Sequence, residues 1–256
     1  MNIADILATP SMPLASPTYP KGPYRFINRE FFVITYASDA DAIRRLLPEP
    51  LMPDGSDTVF YEFARMPDSS GFGNYTQTGV VIPCLFEGVA MNHVSQMYLD
   101  CEPPISGGRE IWGFPQKLGK PTLAIAQDTL TGRLEYAGQP VVIATMAYKH
   151  ENLMEKKAAQ GEMHAIAARL AAPRVNLKLI PHVDGSLAIA QLVSYAMTDI
   201  TLKGAWAGAA RLHLIAHVNA PVADLPVRKV LGGLHAIADA TLPYGNVAYD
   251  YLAAGR

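Results

Sequence analysis

The sequence predicts a mainly β, α+β fold: an antiparallel sheet, closed or half-closed into a barrel-like shape, with about three helices outside it. Three observations predict this. Many short runs rich in aromatic and β-branched residues are bounded by Gly, Pro, Asn and Asp. Few segments have helical composition or spacing. Strands and helices do not alternate in the rhythm of βαβ units. A closed antiparallel sheet can enclose a ligand cavity.

Residues 1–22 are expected to form an extended arm, because "TPSMPLASPTYPKGP" is rich in Pro and Ser. "YRFINREFFVITYAS" reads as a strand. "DADAIRRLLPEP" reads as a short helix, capped by Ser38 or Asp39 and stopped by Pro48. "DTVFYEFARM" and "GVVIPCLFEGVAMNHVSQMYLD" are strand material, separated by the glycine-rich "SSGFGNYTQTG". Residues 120–150 suggest three strands, with turns near Thr131-Gly132 and Ala137-Gly138. Residues 151–171 have helix-forming composition, and 173–217 return to strands. "LPVRKVLGGLHAIADATLP" carries apolar residues at helical spacing between two prolines, which predicts a third helix. "NVAYDYL" closes the chain as a strand. Pro and Gly are spread evenly and no repeat stands out, so residues 1–256 read as a single domain.

Half of the 256 residues are hydrophobic, enough for a large core. The net charge of −2 and the lack of Lys/Arg runs argue against a nucleic-acid surface. Two cysteines in apolar surroundings favour buried thiols over a disulfide. The first residues lack a basic and apolar leader, and no apolar run reaches about 18 residues. The expectation is a soluble cytoplasmic protein that does not bind membranes.

The sequence contains no GxSxG, HExxH, GxxxxGK[ST] or GxGxxG motif, and its seven His are scattered. No metal site and no organic cofactor are expected. What remains is a set of polar residues in apolar strands. Arg29 in "INREFF" needs an anion or a water-filled cavity. Glu62 in "FYEFA" is flanked by aromatics, which would raise an unpaired carboxyl. Gln77 sits at a turn in "YTQTG". Arg109, Glu110, Lys117 and Lys120 cluster around "GFPQKLGKP". Singly, each is more simply an ion pair or a solvated edge. Together they can form a pocket with a cation for a carboxylate and an acid for proton transfer, suited to a small oxo acid.

"SPTYPKGPYRFINREFF" and "YLDCEPPISGGREIWGFPQKLGKP" resemble the acetoacetate decarboxylase family. So do "TMAYKH", "LKLIPHVDG", "DITLKGAWAG", "HVNAPVADLPV" and "VAYDYL", in nearly constant register from about residue 8 onward. The resemblance implies that family's fold, its cavity, and Schiff-base chemistry without a cofactor. A neutral lysine amine attacks a ketone, and the iminium accepts the electrons released as carbon dioxide leaves. It also implies a homo-oligomer built from dimers, with the N-terminal arm as a contact.

Carried over residue by residue, Arg29 and Glu62 match the family's pocket arginine and one of its glutamates. Gln77 falls on a second pocket glutamate. The family's turn reads Pro-Lys-Lys-Leu, its first Lys the nucleophile; here it is Pro115-Gln116-Lys117-Leu118. One cation and one anion have thus both become amides, which leaves local charge unchanged. An amide cannot form an imine. Neighbouring residues of an extended segment face opposite ways, so Lys117 faces out if Gln116 faces in. Three readings stay open: a lyase using Lys117, a hydratase, isomerase or aldolase-dehydratase of an unsaturated 2-oxo acid, and a silent oxo-acid-binding protein. In each, Arg29 holds the carboxylate, Gln77 and Gln116 meet substrate oxygens, and Glu62 is the candidate for proton transfer.

Overall fold

The computed structural model describes residues 2–155 and 159–254. Two sheets make up most of it. The larger has 13 strands. Its main path runs Glu151–Asn152, Thr198–Gly208, Lys229–Leu242, Tyr24–Ala37, Thr58–Met66, Tyr75–Phe86, Val89–Leu99, Arg174–Pro181, Leu187–Tyr195 and Asn246–Asp250. The smaller has four strands, ordered Ala210–Leu214, Gln139–Ala147, Thr129–Tyr136 and Lys120–Ala126. Pairing is antiparallel except where Val89–Leu99 meets Arg174–Pro181 and Gln116–Leu118, both parallel. Among the described residues neither strand order closes on itself, so no closed barrel is seen.

Tyr24–Ala37 shows why the sheet holds together. Its Phe32, Ile34 and Tyr36 enter one core, shared with the small sheet's Leu130, Leu134, Val142 and Met146. Its Tyr24, Phe26, Phe31 and Val33 enter a second core with Trp112, Phe114 and Tyr195. A strand buried on both faces reads as a continuous apolar run rather than an alternating one.

The main departure from expectation lies in residues 225–243, which do not form a helix. Lys229–Leu242 is a central strand between Tyr24–Ala37 and Thr198–Gly208, with Ala236 and Ala238 fully buried. Its apolar residues happen to fall at helical spacing, while the burial alternates from Ala236 to Leu242 as in a strand, and Gly232-Gly233 was the contrary signal.

The turn near Thr131-Gly132 is also displaced. Thr129–Tyr136 runs straight through it, and the chain reverses at Gln127-Asp128, both in the left-handed region. Gly132 is there for packing: a Cβ would meet the Phe63 ring at 2.6 Å, so its absence lets the sheets approach. The turn at Ala137-Gly138 is present.

Five α-helices occur among the described residues rather than about three. Ala40–Leu46 follows Asp39, but the Asp39 side chain pairs with Arg228 instead of capping. Ala159–Ala171 occupies the end of the segment expected to be helical, after a short strand at Glu151–Asn152. The arm is not wholly extended, since Ile3–Ala8 is a helical turn capped by Asn2. Tyr251–Ala254 ends the described chain as a helical turn. Glu102–Gly107 is a helix that continues as a π-helix over Gly108–Trp112, and this element shapes the site. Cys84 and Cys101 are free thiols, the first buried and the second half-buried. No described helix is long and apolar enough to cross a membrane.

His93 lies at the parallel junction, with Nδ1 3.1 Å from the Val175 carbonyl oxygen. Burial pulls its pKa down to about 4. A depressed His is neutral in the folded state while the unfolded chain takes up a proton. Its contribution is therefore complete above about pH 6.5 and is lost as pH falls toward about 4. The loss amounts to roughly 3 kcal/mol. Urea midpoints should fall between pH 7 and 4.5, and His93→Asn should flatten that part of the slope.

Candidate active site

A cavity of about 50 Å³ opens in the second core. That is room for a few water-sized groups, since roughly 10–15 Å³ on this measure holds one water. Its apolar wall includes Phe26, Phe31, Trp112, Phe114, Met97 and Leu170. Its polar wall is Arg29, Tyr75, Gln77, Gln116, Arg174 and Tyr195. Among the described residues the lining contains no carboxylate and no lysine.

Arg29 reaches the cavity through a bulge. The register of Tyr24–Ala37 against Lys229–Leu242 shifts between Phe26 and Arg29, and Asn28 takes φ 54°. The Asn28 N–H donates to Asp239 Oδ1 at 2.8 Å, which anchors the bulge. Bulges re-aim side chains in this way. The guanidinium lies 4.5 Å from the centre of the Phe31 ring and 5.3 Å from that of Phe26. Its Nε is shielded from solvent and has no hydrogen-bond partner among the described residues. Burial lowers its pKa, helped by the charge of Arg174 and opposed by Tyr75 and Glu62. It remains a cation at neutral pH. Its neighbour Glu30 points the other way, into a buried cluster with His235 at 2.8 Å and Arg65 at 2.7 Å.

Glu62 is not an isolated acid. Arg174 grips it with two hydrogen bonds, Nη1 to Oε2 at 3.0 Å and Nη2 to Oε1 at 2.9 Å. Both side chains are largely buried. Arg174 is held above its ordinary pKa, burial being outweighed by Glu62 and Tyr195. Glu62 lines a neighbouring cavity of about 300 Å³ with Arg169 and Asn92, whereas Arg174 and Leu170 border both cavities. Tyr195 is pushed up to about 12 by burial, against the pull of Arg174 and Arg29. It therefore keeps its proton at neutral pH and serves as a donor. Neither Arg174 nor Tyr195 carries a local signal in the sequence. Arg174 meets Glu62 across 112 positions of chain.

Gln116 and Lys117 part company at the parallel strand Gln116–Leu118, whose burial runs buried, exposed, exposed. Gln116 turns inward and is 4 % exposed. Lys117 turns outward, its Nζ donating to the Asn219 carbonyl at 2.5 Å and lying 5.0 Å from the Tyr136 ring centre. Lys120 is exposed and pairs with Glu135 at 3.0 Å. Arg109 donates to the Gln116 backbone carbonyl at 3.2 Å, and Glu110 accepts from the Tyr19 hydroxyl. These four flank the turn without lining the cavity. Gln77 lines it from Tyr75–Phe86, on the same face as Tyr75.

The π-helix makes room for Gln116. A Cβ on Gly108 would lie 2.1 Å from a terminal atom of the Gln116 amide and 2.7 Å from its Cδ. Gly113 then ends the element in the left-handed region at φ 71°, where a Cβ would strike the Lys178 backbone at 2.6 Å. Gly108→Ala should displace the Gln116 amide and cost about 1–3 kcal/mol. Thermal unfolding measures the loss, and weakened binding of small acids would show that the amide has moved.

The chain matches the family model for acetoacetate decarboxylase over residues 11–252. It is 52 % identical over 254 residues to the acetoacetate decarboxylase of Bordetella avium, covering 99 % of this chain and 100 % of that one. A solved acetoacetate decarboxylase from Legionella pneumophila is 44 % identical, with a TM-score of 0.86 over 98 % of this chain and 97 % of that one. The enduracididine biosynthesis enzyme MppR shares the fold at 19 % identity, with a TM-score of 0.78 over 94 % of this chain and 95 % of that one. The chain belongs to the acetoacetate decarboxylase family, a family of lyases.

Proposed function

We propose that this protein acts on a small β-keto or 2-oxo acid, and that imine-based decarboxylation is weak or absent in the chain as written. The observation that carries this reading is the cavity wall: Gln116 stands at the position the family resemblance gives to the nucleophilic amine, and no lysine among the described residues lines the cavity. Imine formation needs the free lone pair of a neutral amine. The lone pair of an amide nitrogen is delocalised into its carbonyl.

Arg29 is the group for the substrate carboxylate, because it is the cavity cation that no carboxylate neutralises among the described residues. Arg174 is already committed to Glu62. The apolar wall strengthens the Arg29 contact by excluding water. Without an imine, charge that develops on a substrate carbonyl must be met by fixed donors. Gln77, Tyr75 and Tyr195 line the cavity, which supports that role for them. This neutral donor wall also favours the second reading, non-covalent hydration or isomerisation of an unsaturated 2-oxo acid. Glu62 would reach such a substrate only by leaving Arg174.

Carbon dioxide release from acetoacetate tests the first statement. The protein as written is expected to match the uncatalysed rate. Release well above that rate would mean that an amine reaches the substrate, and the reading would fail.

A further inference from the structure

The Gln116 amide is held by its nitrogen. In the orientation that matches donors with acceptors, Nε2 donates to the carbonyl oxygens of Pro104 at 2.7 Å and Ile105 at 3.2 Å. A primary amide has two N–H donors, and both are then used. The reverse orientation would turn Oε1 toward those two carbonyl oxygens and leave the NH₂ only the Met97 sulfur, at 3.3 Å. A thioether is a weak acceptor. Two carbonyl acceptors decide the orientation. The atom on the Met97 side of the cavity is therefore Oε1, an acceptor.

This fixes the polarity of the wall. Arg29 offers a cation, and its Nε has no partner among the described residues. Gln116 offers lone pairs. A simple ketone brings lone pairs of its own and would face Oε1 acceptor to acceptor. A hydroxyl would donate to it.

We propose that the ligand of this cavity carries a hydroxyl as well as a carboxylate: a small hydroxy acid, or the enol form of an oxo acid. The carboxylate lies on Arg29 and the hydroxyl donates to Gln116 Oε1. This rests on the Arg29 cavity being the substrate site, and it goes further by naming a donor on the ligand that an oxo acid lacks. Gln116 is then the residue that selects hydroxyl over ketone, positioned by the carbonyls of Pro104 and Ile105 and by the space left at Gly108.

Calorimetric titration of the purified protein with matched pairs tests this: lactate against pyruvate, and 3-hydroxybutyrate against acetoacetate. The hydroxy member of each pair is expected to bind about five- to tenfold more tightly, the size of one net hydrogen bond. Gln116→Met keeps the length and removes the acceptor, so the gap should close to within about twofold. Equal or tighter binding of the oxo member by the wild type would overturn the hydroxyl assignment while leaving the Arg29 site standing. A gap that persists in a folded Gln116→Met protein would overturn it too, placing the acceptor elsewhere. Binding of neither member would overturn both the assignment and the small-acid reading. Should Gln116→Met fail to fold, the wild-type pairs alone decide.

Discussion

Gln116→Lys is expected to give the cavity its amine and to raise carbon dioxide release from acetoacetate by on the order of 10³-fold, about 4 kcal/mol of barrier. The geometry supports this in three ways. The side chain at 116 already points inward from a strand fixed by parallel pairing with Met97 and Leu99. The carbonyls of Pro104 and Ile105, which accept from the Gln116 amide, can accept from a lysine amine and orient it. The apolar wall and the Arg29 cation would each lower the amine's pKa, which keeps the attacking form neutral. A folded variant with no gain would mean that the cavity has been reshaped around more than its amine, with Gln77 the first position to restore.

Glu62→Ala should cost about 3–5 kcal/mol of stability, the penalty for leaving a buried charge without its partner. In a protein of this size that corresponds to a fall in Tm of roughly 10 °C. The damaging element is Arg174, stranded between the two cavities with its fork unfilled. Glu62→Gln combined with Arg174→Met should recover much of the loss, since replacing both partners avoids the orphaned charge. Thermal unfolding of the three proteins measures this. A single mutant that melts with the wild type would show that the pair carries little of the local structure.

What was legible in the sequence divides along physical lines. Strands with a distinct aromatic and β-branched signature, such as Tyr24–Ala37 and Thr58–Met66, were readable because local composition and burial agree there. The inward Gln116 and outward Lys117 follow from the two-residue period of an extended segment. Lys229–Leu242 was misread because its small alanines and its glycines carry little strand signal, although its burial alternates from Ala236 to Leu242. Glu102–Trp112 was left unassigned, although Glu102 with Pro103 and Pro104 in its first turn is a helix-start signal. The role of the following Gly108, room for Gln116, exists only in three dimensions. Partnerships across long stretches of chain, Glu62 with Arg174 and Arg29 with its unneutralised cavity, leave no local trace. Glu62 was readable as one half of an ion pair, but its partner Arg174 was not.

The central claim is that no lysine among the described residues reaches the cavity, so the chain as written forms no imine there. Borohydride reduction in the presence of acetoacetate, read by intact mass, tests it most directly. The protein as written should show no added mass, while Gln116→Lys should gain one reduced adduct located by peptide mapping at position 116. An adduct on the unaltered protein, at Lys117 or any other lysine, would contradict the claim.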